Sequence, residues 1–217
     1  MARNARIYQA EAVVGVSSFP RLASEGEAKT SMRKLFIDLG HSAPFPGAFG
    51  VRSEVEWNRA IWKELKPLID GKKWSIVEVP PSFGKSDKNA NSQLVNRINF
   101  INRNGGPADF LLSIHGNAAS NKNVRGVTTC FMGGSESAKR EAAKLSKIVS
   151  QATGMPVWNG GSFDDRNARY GRIGMVRDTE PFALLIEAGF VTSPVDMKVS
   201  PKAVAQGIAK YYNSFPL

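Results

Sequence analysis

The sequence predicts a single α/β domain, a mostly parallel twisted sheet with helices on both faces. Three observations carry that prediction. Short apolar runs bounded by Gly or Pro alternate along the chain with amphipathic segments of helical period. The apolar runs are continuous rather than alternating, as strands covered on both faces are. A chain of 217 residues, 42% hydrophobic and 22% charged, also suits one domain with a substantial core.

Residues 1–33 show neither clear periodicity nor low complexity and read as an N-terminal extension, an irregular arm or a short strand with loops. Residues 35–39 form an apolar run stopped by Gly40, the expected first strand. After a Gly/Pro-rich loop, the spacing predicts a helix over 53–69, distorted near its end by Pro67. Residues 74–79 read as a second strand closed by Pro80 and Pro81, and 91–103 as a helix stopped by Gly105 and Gly106. Third and fourth strands are expected over 110–114 and 124–132. Ser135 is placed to cap a long helix ending near Thr153, ahead of Gly154 and Pro156. The Gly/Asn/Arg-rich stretch to Gly174 reads as a loop, 182–186 as a further buried strand, and 201–212 as a closing helix with Pro201 in its first turn. No repeat or linker divides 34–217, which reads as one domain.

Composition narrows the function classes. Lys and Arg number 29 against 19 Asp and Glu, a net charge of +10. That excess favours a polyanionic partner, whether nucleic acid, an acidic membrane surface or an anionic wall polymer. The single cysteine, Cys130, excludes an intramolecular disulfide framework and a Cys-rich zinc ribbon, and reads as buried filler. No run approaches the roughly 18 to 20 apolar residues of a membrane span. The apolar stretch 12–16 is too short for a signal sequence, so no export signal is visible. Gly84-Lys85-Ser86 lacks the earlier glycine of a phosphate-binding loop. Lys139, Arg140, Lys144 and Lys147 read as a solvated helix face with at most a weak wall-binding role, and Asp164-Asp165 as solvated turn chemistry.

Two histidines are present, and each follows a strand expected to be buried: His41 after the first, His115 after the third. In an open α/β sheet, functional groups collect at the carboxyl ends of strands, and neutral imidazole is a favoured zinc ligand. A third ligand is expected from the helix that follows His41. There Glu54 shares the inward stripe with Asn58, Ile61, Leu65 and Leu68, while Glu56 points the other way and would form a capping box with Ser53. The last buried strand ends in Glu187, a carboxylate costly to bury unless it is paired or working. Its two readings are an ion pair with Arg177 and a general base for hydrolysis; beside a two-His-one-Glu set, the second is preferred.

Four segments then carry a family resemblance: Ile37-Asp38-Leu39-Gly40-His41, Glu54-Val55-Glu56-Trp57-Asn58, Ser113-Ile114-His115-Gly116-Asn117-Ala118, and Leu185-Ile186-Glu187-Ala188-Gly189-Phe190. In order and approximate spacing they closely resemble the zinc-dependent N-acetylmuramoyl-L-alanine amidases of the amidase-3 family, from Leu35 to the C-terminus. The resemblance implies Zn²⁺ on His41, Glu54 and His115, a catalytic Glu187, and an Arg177 that assists substrate binding or steadies an oxyanion. It implies hydrolysis of the amide joining N-acetylmuramic acid to L-alanine of the stem peptide. Asn117 and Asn58 become candidates for supporting the metal ligands or for the substrate side, Asp38 for orienting a ligand histidine, and Trp158 for lining a sugar or peptide groove against an alternative of simple packing. The first motif reads Gly-His-Ser where many members have Gly-His-Gly-Gly, residues 1–33 have no counterpart, and no separate wall-binding module is visible. Small size, basic charge and the lack of a visible signal suit a monomeric, endolysin-like enzyme, held in a host cytoplasm before release to the wall or periplasm. The rival readings are a zinc carboxypeptidase or endopeptidase acting on wall peptides, and a basic wall- or nucleic-acid-binding protein with a vestigial site.

Overall fold

A computed structural model describes residues 32–42, 44–168 and 171–216. The expected N-terminal arm, apart from Met32 and Arg33, lies outside the described residues. Six strands form one sheet: β1 (Lys34–Asp38), β2 (Ser75–Glu78), β3 (Phe110–Asn117), β4 (Val127–Phe131), β5 (Val157–Asp164) and β6 (Phe182–Phe190). Their spatial order is β2-β1-β3-β6-β4-β5. Strands β2, β1, β3 and β6 are parallel neighbours, β4 runs antiparallel to β6, and β5 follows β4 in parallel. The helices are α1 (Glu54–Leu65), α2 (Ala90–Asn104), α3 (Glu136–Thr153), the short α4 (Gly174–Arg177) and α5 (Pro201–Asn213).

Alternation along the strands sorts the core into two layers. On one face Leu35, Ile37, Leu112, Ile114, Leu184 and Ile186 pack with the apolar stripes of α1, α3 and α5. On the other, Phe36, Leu111 and Leu185 meet Leu94, Ile98 and Ile101 of α2 and Met175 and Val176 of α4. Both faces are covered, which is why the strand sequences read as unbroken apolar runs.

Local chemistry sets the helix ends. The Asn89 side chain accepts the Ser92 amide and the Ser92 side chain accepts the Asn89 amide, a reciprocal cap that starts α2. Ser135 caps α3 through the Ala138 amide, and Gly154 closes that helix at φ 71°, a left-handed conformation open to glycine. Pro67 turns the end of α1 into a single 3-10 turn, Lys66–Leu68.

Two strands depart from expectation. β3 and β6 continue to Asn117 and Phe190, so His115 and Glu187 lie inside paired strands rather than beyond them. β5 occupies a segment expected to be a loop. Its pairing with β4 advances from Val127–Val157 to Thr129–Ser162, so it loops out residues to stay in register. Asn159, Gly160 and Gly161 take up that slack with positive φ, and an edge strand of this kind carries no apolar run to announce it.

The α3–α5 contact makes a direct prediction. A Cβ on Gly207 would sit 2.8 Å from Val149 Cα and 3.2 Å from Ala152 Cβ. Gly207→Ala gains about 1 kcal/mol of helix propensity but forces the two helices apart. Denaturant melts should show a net loss of about 1–2 kcal/mol; a stabilised variant would contradict this packing.

Candidate active site

The site is built where the loop after β1 turns back into α1. Ser53 precedes α1 with extended backbone, but its side chain makes no capping bond, and Glu56 is exposed, so the expected capping box is not formed. Ala48 takes its place. Its carbonyl accepts the Glu54 N–H at 3.0 Å, and its own N–H donates to Glu54 Oε2 at 2.8 Å. One reciprocal pair thus satisfies an orphan amide of the first helical turn and fixes the Glu54 side chain.

The other Glu54 oxygen faces β3. His115 Nδ1 lies 2.9 Å from Oε1, and the Gly116 N–H donates to the same oxygen at 3.3 Å. His41 Nε2 stands 3.5 Å from Oε2. The imidazole centroids are 5.2 Å apart with ring planes near perpendicular at 82°. Candidate ligand atoms of His41, Glu54 and His115, one from each, all lie within 4.8 Å of one another. His41 is the one open to solvent, with 18% of its side chain exposed against 4% for His115.

Two glycines let the backbone crowd this cluster. Gly47 (φ 73°) would place a Cβ 2.4 Å from both Glu54 Oε2 and His41 Cδ2. At Gly40 (φ 67°) a Cβ would reach 2.7 Å from the His115 ring. A cradle of two imidazoles and one carboxylate, free of thiols and mostly buried, is the donor chemistry of a catalytic zinc centre, and these residues fit such an ion.

Sheet register adds the fourth group. β3 and β6 pair His115 with Glu187, which puts the two side chains on one face, and β4 pairs Thr128 with Glu187 from the other side. Glu187 is buried and its Oε2 has no hydrogen-bond partner among the described residues. Burial pushes the Glu187 carboxyl up to about 7; His115 opposes the rise and the Glu54 charge adds to it. For Glu54 burial also works against the charged form, yet the hydrogen bond and charge of His115, with His41 nearby, hold its carboxyl below the usual range. Burial pushes His41 down to about 4, leaving its imidazole neutral and free to ligate. Burial acts the same way on His115, but its bond to Glu54 outweighs it and raises the imidazole. Two nearby carboxyls with separated proton affinities are a recurrent arrangement for one fixed anion and one proton carrier.

The remaining candidates sit elsewhere in the network. Asn58 is buried in α1 and donates to the Leu39 carbonyl at 3.0 Å, which ties α1 to the end of β1, and its Oδ1 is unpartnered. Asn117 accepts the Ala118 N–H at 2.8 Å and keeps an unpartnered Nδ2. Trp158 is half-buried on edge strand β5, stacked on Phe163 and edge-on to Phe190, so its contacts are packing contacts. Asp38 touches neither histidine; it binds Arg97, Ser113 and the Gly40 amide.

Arg177 is not brought to Glu187. Its Nε donates to Asp165 Oδ2 at 2.6 Å and its Nη2 to Oδ1, a two-pronged ion pair. Asp165 is fully buried and also accepts the Gly133 N–H at 2.8 Å, so it is a structural anchor rather than a solvated turn. β5 ends at Asp164 opposite Phe131, one residue beyond the Cys130–Leu185 pair, which sets this ion pair toward the start of β6 and away from Glu187. Sequence reasoning passed over Gln93 and Arg97 of α2, although two polar residues beside the inward stripe of Leu94, Ile98 and Ile101 were a signal.

The raised Glu187 carboxyl fixes the sign of a pH effect in the metal-free protein. Between its unfolded value of 4.5 and about 7, the folded state keeps a proton that the unfolded state has lost, so this group's stabilising contribution falls as pH rises through that window. Metal-free Glu187→Gln should therefore match the native protein near pH 4 and exceed its stability at pH 8 by on the order of 2 kcal/mol. Urea melts at the two pH values read this out; a native protein more stable than the variant at pH 8 would mean that Glu187 has a partner.

Comparison with known proteins identifies the family and the fold. The family model described as N-acetylmuramoyl-L-alanine amidase, amidase-3, matches residues 35–212. A curated relative, an uncharacterized cell wall amidase of Bacillus anthracis, is 24% identical over 192 residues, 83% of this chain. The chain spans about a third (35%) of that relative's length. Among solved structures, an N-acetylmuramoyl-L-alanine amidase from Clostridium difficile 630 superposes with a TM-score of 0.69 at 23% identity, covering 84% of this chain and 96% of that one. The catalytic domain of the CD27L endolysin gives 0.62 at 21% identity, covering 85% and 99%. With the family model spanning nearly the whole described domain, this chain belongs to the amidase-3 family of N-acetylmuramoyl-L-alanine amidases.

Proposed function

We propose that the chain hydrolyses peptidoglycan at the amide between the lactyl group of N-acetylmuramic acid and L-alanine of the stem peptide, with one Zn²⁺ held by His41, Glu54 and His115. The observation that carries this reading is Glu187, buried, uncommitted to any ion pair among the described residues and in register with His115. When bound, Zn²⁺ supplies Lewis acidity, polarising a carbonyl and lowering the pKa of a water. The protein's own groups do the rest. Neutral His41 offers a nitrogen lone pair, and Glu54 contributes negative charge already fixed by the Ala48 and Gly116 amides. Glu187 accepts a proton from the attacking water as the new C–O bond forms at the scissile carbonyl carbon. It returns that proton to the alanine nitrogen as the C–N bond breaks. A lactyl carboxyl and a free L-alanine amino group result, and Glu187 ends as it began. Burial raises the proton affinity of the Glu187 carboxyl, the direction a group that must both take and return a proton needs. The net charge of +10 favours approach to an anionic envelope.

Digestion of purified peptidoglycan should expose new L-alanine amino termini on intact glycan strands. Release of D-alanine, or cleavage between stem residues, would contradict the bond assigned. Glu187→Gln should retain one zinc per chain and lose on the order of 10²- to 10⁴-fold in turnover, whereas His41→Ala should lose the zinc. Wild-type turnover in Glu187→Gln would remove the proton carrier from the mechanism.

A further inference from the structure

Of the three candidate ligands, Glu54 starts a helix and His115 lies within a central strand, but His41 stands on a loop. The residues on either side of it are both held by α2. Before it, Arg97 Nη1 donates to the Gly40 carbonyl and, at 2.7 Å, to Asp38 Oδ1. Asp38 Oδ2 in turn accepts the Ser113 hydroxyl at 2.5 Å and the Gly40 N–H at 3.2 Å. Both backbone groups of Gly40 are therefore tied, and its left-handed conformation is one open to glycine. After His41, Gln93 Nε2 donates to Ser42 Oγ at 2.6 Å. Ser42 is fixed further by a bridge to Phe45, whose amide it accepts at 2.9 Å. Gln93 and Arg97 are four residues apart on one face of α2, and both are buried.

We infer that Gln93 and Arg97 are positioning residues, a clamp through which α2 presets the His41 loop for metal binding. The inference rests on His41, Glu54 and His115 being the metal centre, and it goes beyond that centre to residues that touch no ligand atom. The physical reason is entropic. A loop held from both sides is ordered before the ion arrives, whereas a loosened one must order on binding and so binds more weakly. Arg97 is suited to its half of the clamp because one terminal nitrogen, with two N–H groups in the guanidinium plane, reaches both acceptors from a permanently charged side chain. Partners of this outlying kind commonly change metal affinity by 10- to 100-fold.

The test is zinc affinity of the full metal-stripped chain, measured by competition with a chromophoric chelator, with no substrate present. Gln93→Ala and Arg97→Lys should each weaken zinc binding roughly tenfold or more, while Arg103→Ala, exposed on the same helix, leaves it unchanged. Visible absorption of the cobalt-loaded variants should shift with Gln93→Ala, a signature of altered ligand geometry that mere loss of stability does not produce. Arg97→Lys carries the risk of stranding buried Asp38; if it does not fold, Gln93→Ala decides alone. Zinc affinity within twofold of the native value in Gln93→Ala, with an unchanged cobalt spectrum, would overturn the clamp. Native zinc affinity in His41→Ala would overturn the metal centre itself, and the clamp with it.

Discussion

A buried carboxylate organises this end of the molecule. Moving a carboxylate out of water costs several kcal/mol unless its lone pairs are met, and Glu54 is met on every side. The Ala48 amide, the Gly116 amide and His115 each contact one of its oxygens, with His41 close by. Those partners come from the loop after β1 and from β3, so one charge joins loop, helix start and central strand. Gly40 and Gly47 are needed because any side chain there would occupy space already taken by His115, His41 and Glu54. The path of the loop, the start of α1 and the candidate metal donors are therefore one interaction viewed from three elements.

A second acid shares the same dry surroundings under opposite terms. Glu187 has no ion-pair partner among the described residues, and its carboxyl is pushed up to about 7 by burial. Two neighbouring carboxyls in low dielectric do not both ionise readily. Here hydrogen bonds keep the charge on Glu54 and leave the exchangeable proton to Glu187. Arg177 would have quenched that difference had it faced Glu187, but it is committed to Asp165. The basis of the proposed proton transfer is thus partly an absence, enforced by the part-buried Arg177–Asp165 ion pair toward the start of β6.

The residues legible in the sequence were those whose chemistry is out of place in their surroundings. Two histidines and an acid at the ends of apolar runs stand out, and helical period separates Glu54 from Glu56. What escaped depended on the fold closing first. β5 is a Gly-containing edge strand whose pairing, not its composition, makes it a strand. The Ala48–Glu54 pair involves the backbone of a residue with no polar side chain, so no motif could announce it. Asp165 looked like turn chemistry because local sequence does not reveal that an arginine from another segment will bury it. Gln93 and Arg97 were visible as polar residues on an inward face, but their role becomes apparent only once α2 is seen against the His41 loop.

The proposed chemistry requires that His41, Glu54 and His115 form one metal centre with Glu187 beside it but outside the ligand set. Anomalous diffraction at the zinc edge, on crystals of the zinc-loaded chain, locates the ion and its ligands. The predicted result is a single strong peak about 2.0–2.2 Å from one nitrogen of each histidine and one Glu54 oxygen, with Glu187 not coordinating. A peak held by Glu187, or one lying elsewhere with the two histidines turned apart, would contradict it.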